Sequence, residues 1–120
     1  MKKLSQSKIK EVLTFLEANK GLVGLDGWNI FVKEEITDED HMATIEVDIF
    51  EQAAAISVTN KFLELGESRQ QSILLHELIH GRIEIYKEIT KEITAYEEER
   101  LANDLERGMF SLFKTQDQTE

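Results

Sequence analysis

Residues 74 to 82, Leu-Leu-His-Glu-Leu-Ile-His-Gly-Arg, restrict the fold more than any other stretch of the chain. Wound as a helix, the segment has Leu74, Leu75, Leu78 and Ile79 over most of its circumference. A helix that is apolar nearly all round has to be buried. Its remaining side carries His76, Glu77 and His80. Three ionisable groups on a buried helix cost several kcal/mol unless they find partners. The rest of the chain must therefore wrap this segment and also give those three groups something to bind.

The flanking sequence supplies the wrapping. Before it, from Ser7 to Asn19, the apolar residues Ile9, Val12, Leu13 and Leu16 follow the i, i+3, i+4, i+7 spacing of an amphipathic helix. Ser5 or Ser7 serves as its N-cap and Gly21 as its stop. LVGLDG is a loop, WNIFVKEEI reads as a strand and TDEDHM as a polar turn. ATIEVDIFE alternates, with Ile45, Val47 and Ile49 on one face and Glu46 and Asp48 on the other. AAAISVTNKF follows with Ala54, Ile56 and Val58 aligned. These three segments predict a small antiparallel sheet, in the order of a meander. Ser68 to Gln71 forms an S-x-x-Q capping box that opens the buried helix. Thr94 to Glu97 opens a further helix with Ala95, Leu101, Ala102, Leu105 and Met109 as its apolar stripe. IEIYKEITKE, between the two, either extends the first helix or forms a loop. The expected architecture is α+β: an N-terminal helix, a three-stranded antiparallel sheet, the HELIH helix and a C-terminal glutamate-bearing helix, with the helices on one face of the sheet. A chain of 120 residues suits one domain spanning 1–120, with residues 114–120 a polar, frayed tail.

Composition narrows the partners. The net charge is −10 and the sequence pI about 4.8, so nucleic acid and anionic membranes repel the chain, and neither is expected as a partner. There is no cysteine, hence no disulfide framework and no thiolate metal site. The opening MKKLSQSKIKEVLTFL breaks its apolar residues with Ser, Gln and Lys and forms no signal-peptide core. A soluble, cytoplasmic protein is expected.

Residues 76 to 80 complete the pattern H-E-x-x-H. On a helix, positions i and i+4 share a face, so both imidazoles can reach one ion at about 2.0–2.1 Å. Glu77 is rotated around the helix and cannot comfortably bind that ion. It can reach a water on it, which is the position of a general base. The same pattern also arises by chance, as two histidines on a packed helix. The third histidine, His41, lies in the acidic turn and is expected to be exposed and uninvolved.

A catalytic zinc needs a third protein ligand and an open position for water. No histidine follows His80 and no cysteine exists, so the third ligand should be a carboxylate from AYEEERLANDLERG. Glu97 belongs to the capping box. Periodicity puts Glu98 at the centre of the apolar stripe and Glu99 at its edge. Asn103, one turn after Glu99, is positioned to hydrogen-bond a ligand histidine and hold its orientation. The stripe favours Glu98 and the pairing with Asn103 favours Glu99; on these grounds both stay open. A solvated surface role is the commoner one for any single glutamate in so acidic a helix.

HELIH followed by Glu99-Arg100-Leu101-Ala102-Asn103, an E-x-x-A-N run, resembles the gluzincin zinc peptidases. Thermolysin-like members have an aspartate four residues after the ligand glutamate, and the short ImmA/IrrE-type peptidases of phages and mobile elements have E-x-x-A-N. Size and element order look like the minimal single-domain members, the minigluzincins. The likeness spans nearly the whole chain in element order but rests on about ten residues. The stretch after Asn103, DLERGMF, departs from the ImmA/IrrE continuation and is more similar to short phage-encoded metallopeptidases.

The resemblance implies His76, His80 and Glu99 as zinc ligands, Glu77 as catalytic base and Asn103 as hydrogen-bond partner of the ligands. It implies a zinc-dependent endopeptidase acting on a protein or peptide substrate bound along an edge strand. AAAISVTN is either that edge or an ordinary core strand. Tyr86, Tyr96 and Arg82 are candidate donors to the reaction's oxyanion by nearness in sequence alone. The alternative is a non-enzymatic partner-binding protein with zinc as a structural staple, for which Glu77 would have no use.

Overall fold

The computed structural model describes residues 2–38, 40–90 and 98–107. Helix α1 (Gln6–Asn19) starts at Ser5, whose hydroxyl accepts the Lys8 N–H at 3.1 Å. It does not end at Gly21. A 3-10 turn over Lys20–Val23 continues it, and Gly24 closes the turn at φ 77°, a left-handed conformation that glycine adopts without a Cβ penalty.

Strands β1 (Asn29–Val32), β2 (Ala43–Asp48) and β3 (Ala53–Val58) form one sheet in the order β1-β3-β2. The expected meander is therefore corrected: β2 and β3 are antiparallel, but β1 runs parallel to β3. The physical reason lies in the connections. Only residues 49–52 join β2 to β3, a tight turn in which Asp48 accepts the Glu51 N–H and Gln52 takes φ 50°. A turn this short forces antiparallel pairing. The chain leaving β1 instead stays along β3, with Lys33 N–H donating to Ile56 O and Thr37 N–H to Val58 O, before crossing to the far side. This places β3 in the centre, so residues 53–60 are not an edge. Among the described residues, the open edge beside the helices belongs to β2.

Thr59 caps a short turn of helix, α2 (Asn60–Leu63). Helix α3 spans Glu67–Thr90. At about 1.5 Å per residue it runs roughly 36 Å, nearly the long dimension of the domain. IEIYKEITKE thus continues the helix as far as Thr90, and Ser68 lies inside its first turn, not ahead of it. Gln70, buried, does the joining there: its Nε2 donates to the Phe62 and Leu65 carbonyls at the end of α2. Residues 98–107 are helical and are labelled α4. The Thr94 to Glu97 capping box, Ala95, Tyr96, Met109 and the tail lie outside the described residues.

Helices α1 and α3 pack on one face of the sheet. Leu16, Leu25, Ile56, Val58, Phe62, Leu75, Leu78 and Ile79 are fully buried between them. All four apolar residues of the HELIH segment are thus in the core, as a helix apolar all round requires. The other face of the sheet leaves Phe31 56% exposed.

Helix α3 meets β2 closely at Gly81. A Cβ there would lie 2.7 Å from Ile45 Cδ1 and 3.5 Å from Val47 Cγ1. Gly81→Val is expected to lower stability by about 1–3 kcal/mol through overpacking, outweighing a few tenths gained in helix propensity. Thermal melts of the metal-free protein test this; an unchanged midpoint would mean that β2 moves aside without cost.

Candidate metal centre

His76 and His80 project from the same side of α3, with ring centroids 4.5 Å apart and planes at 72°. Their separation of four residues on an unbroken helix brings them there. Helix α4 supplies the carboxylates. Glu99 has one oxygen 3.3 Å from His76 Nε2 and the other 3.2 Å from His80 Nε2. A tetrahedral ion with bonds of about 2.0–2.1 Å sets its donors about 3.3 Å apart. One ligand atom from each of His76, His80 and Glu99 lies within 4.8 Å of the other two, compatible with a metal ion held between them.

The opposite ring nitrogens also face carboxylates. His80 Nδ1 is 3.5 Å from Glu98, and His76 Nδ1 is 3.4 Å from Glu106. With an ion on the Nε2 lone pairs, the carboxylate opposite each Nδ1 would hold the proton on that nitrogen, the tautomer a metal ligand needs. This donor chemistry fits a divalent ion. Three glutamates of α4 thus surround two histidines of α3, because residues 98 and 99 are adjacent on the helix and 106 falls two turns beyond 99.

Glu98 is buried, and its second oxygen accepts a hydrogen bond from Lys87 Nζ at 2.9 Å. That bond holds the Lys87 ammonium above its usual range. Asn103 is exposed and makes no hydrogen bond to either histidine among the described residues. Neither Glu106 nor Lys87 was legible as a site residue. The available signal was spacing: Lys87 is two turns from His80, and Glu106 two turns from Glu99. The apolar stripe holds for Ala102 and for Glu98 at its centre, both buried, but not for Leu101 and Leu105, which are exposed.

Glu77 faces the same space from the next position round α3. Burial pushes its carboxyl up to about 7, with the charge of Glu99 adding to the rise and His80 opposing it. In front of these groups opens a cavity of about 1130 Å³, with His76, Glu77 and His80 on one wall and β2 from Ala43 to Asp48 on the other. His41 is exposed, as expected, yet it lines this cavity. Arg82 and Tyr86 are absent from the described lining, and the Arg82 guanidinium instead approaches Gly24. Tyr96 lies outside the described residues.

No protein-family model, curated protein or solved structure matches the chain. Among the described residues, no helix is long and apolar enough to cross a membrane.

Proposed function

We propose that the protein is a zinc-dependent endopeptidase of the gluzincin type, acting in the cytoplasm on an extended segment of a protein substrate. One observation carries this reading: the His76, His80 and Glu99 donors converge at the wall of an open cavity, beside a desolvated glutamate and along a strand edge. Structural zinc sites are closed by four protein ligands, whereas catalytic ones keep a position free. Two imidazoles and one carboxylate suit zinc or iron(II), and the H-E-x-x-H pattern with Glu77 beside the first histidine favours zinc.

When bound, zinc supplies Lewis acidity that lowers the pKa of water and polarises a carbonyl. The residues of the chain do the rest. The free edge of β2 offers main-chain hydrogen bonds to an extended peptide, adding it as a further strand. Glu77, one position round the helix from His76, accepts a proton as water adds to the carbonyl carbon. It returns that proton to the nitrogen as the C–N bond breaks, so the products are a carboxylate and an amine. His76, His80 and Glu99 hold position throughout.

The protein loaded with one equivalent of zinc is expected to cut an unfolded test protein, such as a reduced casein, at a few bonds resolved by mass spectrometry. A chelator should stop the cutting and added zinc restore it. Stoichiometric zinc with no cleavage across a broad peptide library would instead support the structural-zinc alternative.

A further inference from the structure

Lys87 has no part in the chemistry described above, yet it sits at the junction of the two helices that build the site. It lies seven residues after His80, on the same side of α3. Its Nζ donates to Glu98 Oε2 at 2.9 Å, while Glu98 Oε1 is 3.5 Å from His80 Nδ1. Glu84, one turn earlier, is a longer contact at 3.7 Å. Glu98 is buried, so its carboxylate has little water to solvate it and depends on these two contacts. Glu99, the next residue, faces both Nε2 atoms.

On the reading that His76, His80 and Glu99 hold zinc, we propose that Lys87 is a positioning residue: through Glu98 it orients the His80 ring and sets the helix turn that presents Glu99. Glu77, Glu98, Glu99 and Glu106 crowd around two imidazoles, and without a cation α4 would be repelled from α3. Lys87 ties Glu98 down at the edge of that cluster. It bonds one oxygen, so the other stays free for His80 Nδ1.

The sign of the effect separates positioning from charge. Lys87 is a cation near a cation site, so removing it by Coulomb's law alone tightens metal binding. A positioning role does the reverse, since loss of a ligand's outer partner typically weakens metal affinity by about 10–100-fold. Removing Glu98 cannot make this distinction, because losing an anion weakens binding either way.

The experiment is a zinc titration against a chromophoric chelator, with cobalt(II) absorption spectra, on wild type, Lys87→Met, Lys87→Arg and Glu84→Gln. Lys87→Met is expected to bind zinc about 10-fold or more weakly and to lose intensity in the cobalt bands of a tetrahedral site. Lys87→Arg should stay within about 3-fold of wild type, and Glu84→Gln should be unchanged. If Lys87→Met does not fold, Lys87→Gln is measured in its place with the same expectation. Binding as tight as wild type, or tighter, in the folded variant overturns the positioning role while leaving the metal centre intact. Uptake of neither ion by wild type overturns both.

Discussion

His80→Ala is expected to abolish stoichiometric zinc uptake, and Glu99→Ala to do the same. An apparent binding energy of about 10–16 kcal/mol shared among three protein ligands assigns roughly 3–5 kcal/mol to each, so affinity falls at least about a hundred-fold. Glu98→Ala should lose less, because Glu98 faces the Nδ1 of His80 and not the convergence point of the Nε2 atoms. Elemental analysis and competition titration of the three variants read this order directly. Zinc kept by Glu99→Ala and lost by Glu98→Ala would exchange the roles of the two carboxylates. The wild type provides a second readout. At zinc concentrations about 100 times the dissociation constant, binding adds about 2.7 kcal/mol, and chelation should lower the melting midpoint by on the order of 10 °C.

On the proposed function, Glu77→Gln is expected to leave zinc in place and to lower peptide hydrolysis by about 10²–10⁴-fold, the usual contribution of a general acid-base group. The same variant carries a stability signature in the metal-free protein. The Glu77 carboxyl is raised from 4.5 to about 7, chiefly by burial. The folded state therefore holds this proton more tightly than the unfolded chain does. Below about pH 4.5 both states are protonated and wild type and variant are alike in this respect. As pH rises from 4.5 to 7 the wild type pays a growing ionisation penalty, complete above 7. At about 1.36 kcal/mol per pH unit that penalty is up to about 3 kcal/mol. Metal-free Glu77→Gln should thus be the more stable protein at pH 8 and lose the advantage by pH 4.5. Denaturant titrations at the two pH values check it. A constant difference between the proteins would show that Glu77 is solvated and poorly placed to act as a base. Hydrolysis that survives the substitution would remove Glu77 from the chemistry.

Much of the fold was legible because its signals are local. The period of 3.6 in α1, the alternation in ATIEVDIFE and the all-round apolar surface of LLHELIH each follow from residues within one or two turns of one another. The convergence of His76 and His80 needed only an unbroken helix. Strand order was not legible, since β1 pairs with β3 across a connection that carries no pairing signal of its own. That order decided between the two readings of residues 53–60, making them the central strand and leaving an edge at β2. The E-x-x-A-N likeness drew attention to Asn103, but the groups that face the histidine Nδ1 atoms are Glu98 and Glu106.

Sequence alone determined that a buried helix carries two histidines and a glutamate on one side, because helical geometry fixes that arrangement whatever surrounds it. Tertiary structure alone decided which of Glu98 and Glu99 meets both imidazoles and which lysine anchors its neighbour. Residues 98 and 99 are separated by about 100° of helix rotation, and only the docking of α4 on α3 chooses the angle at which that arc faces the site.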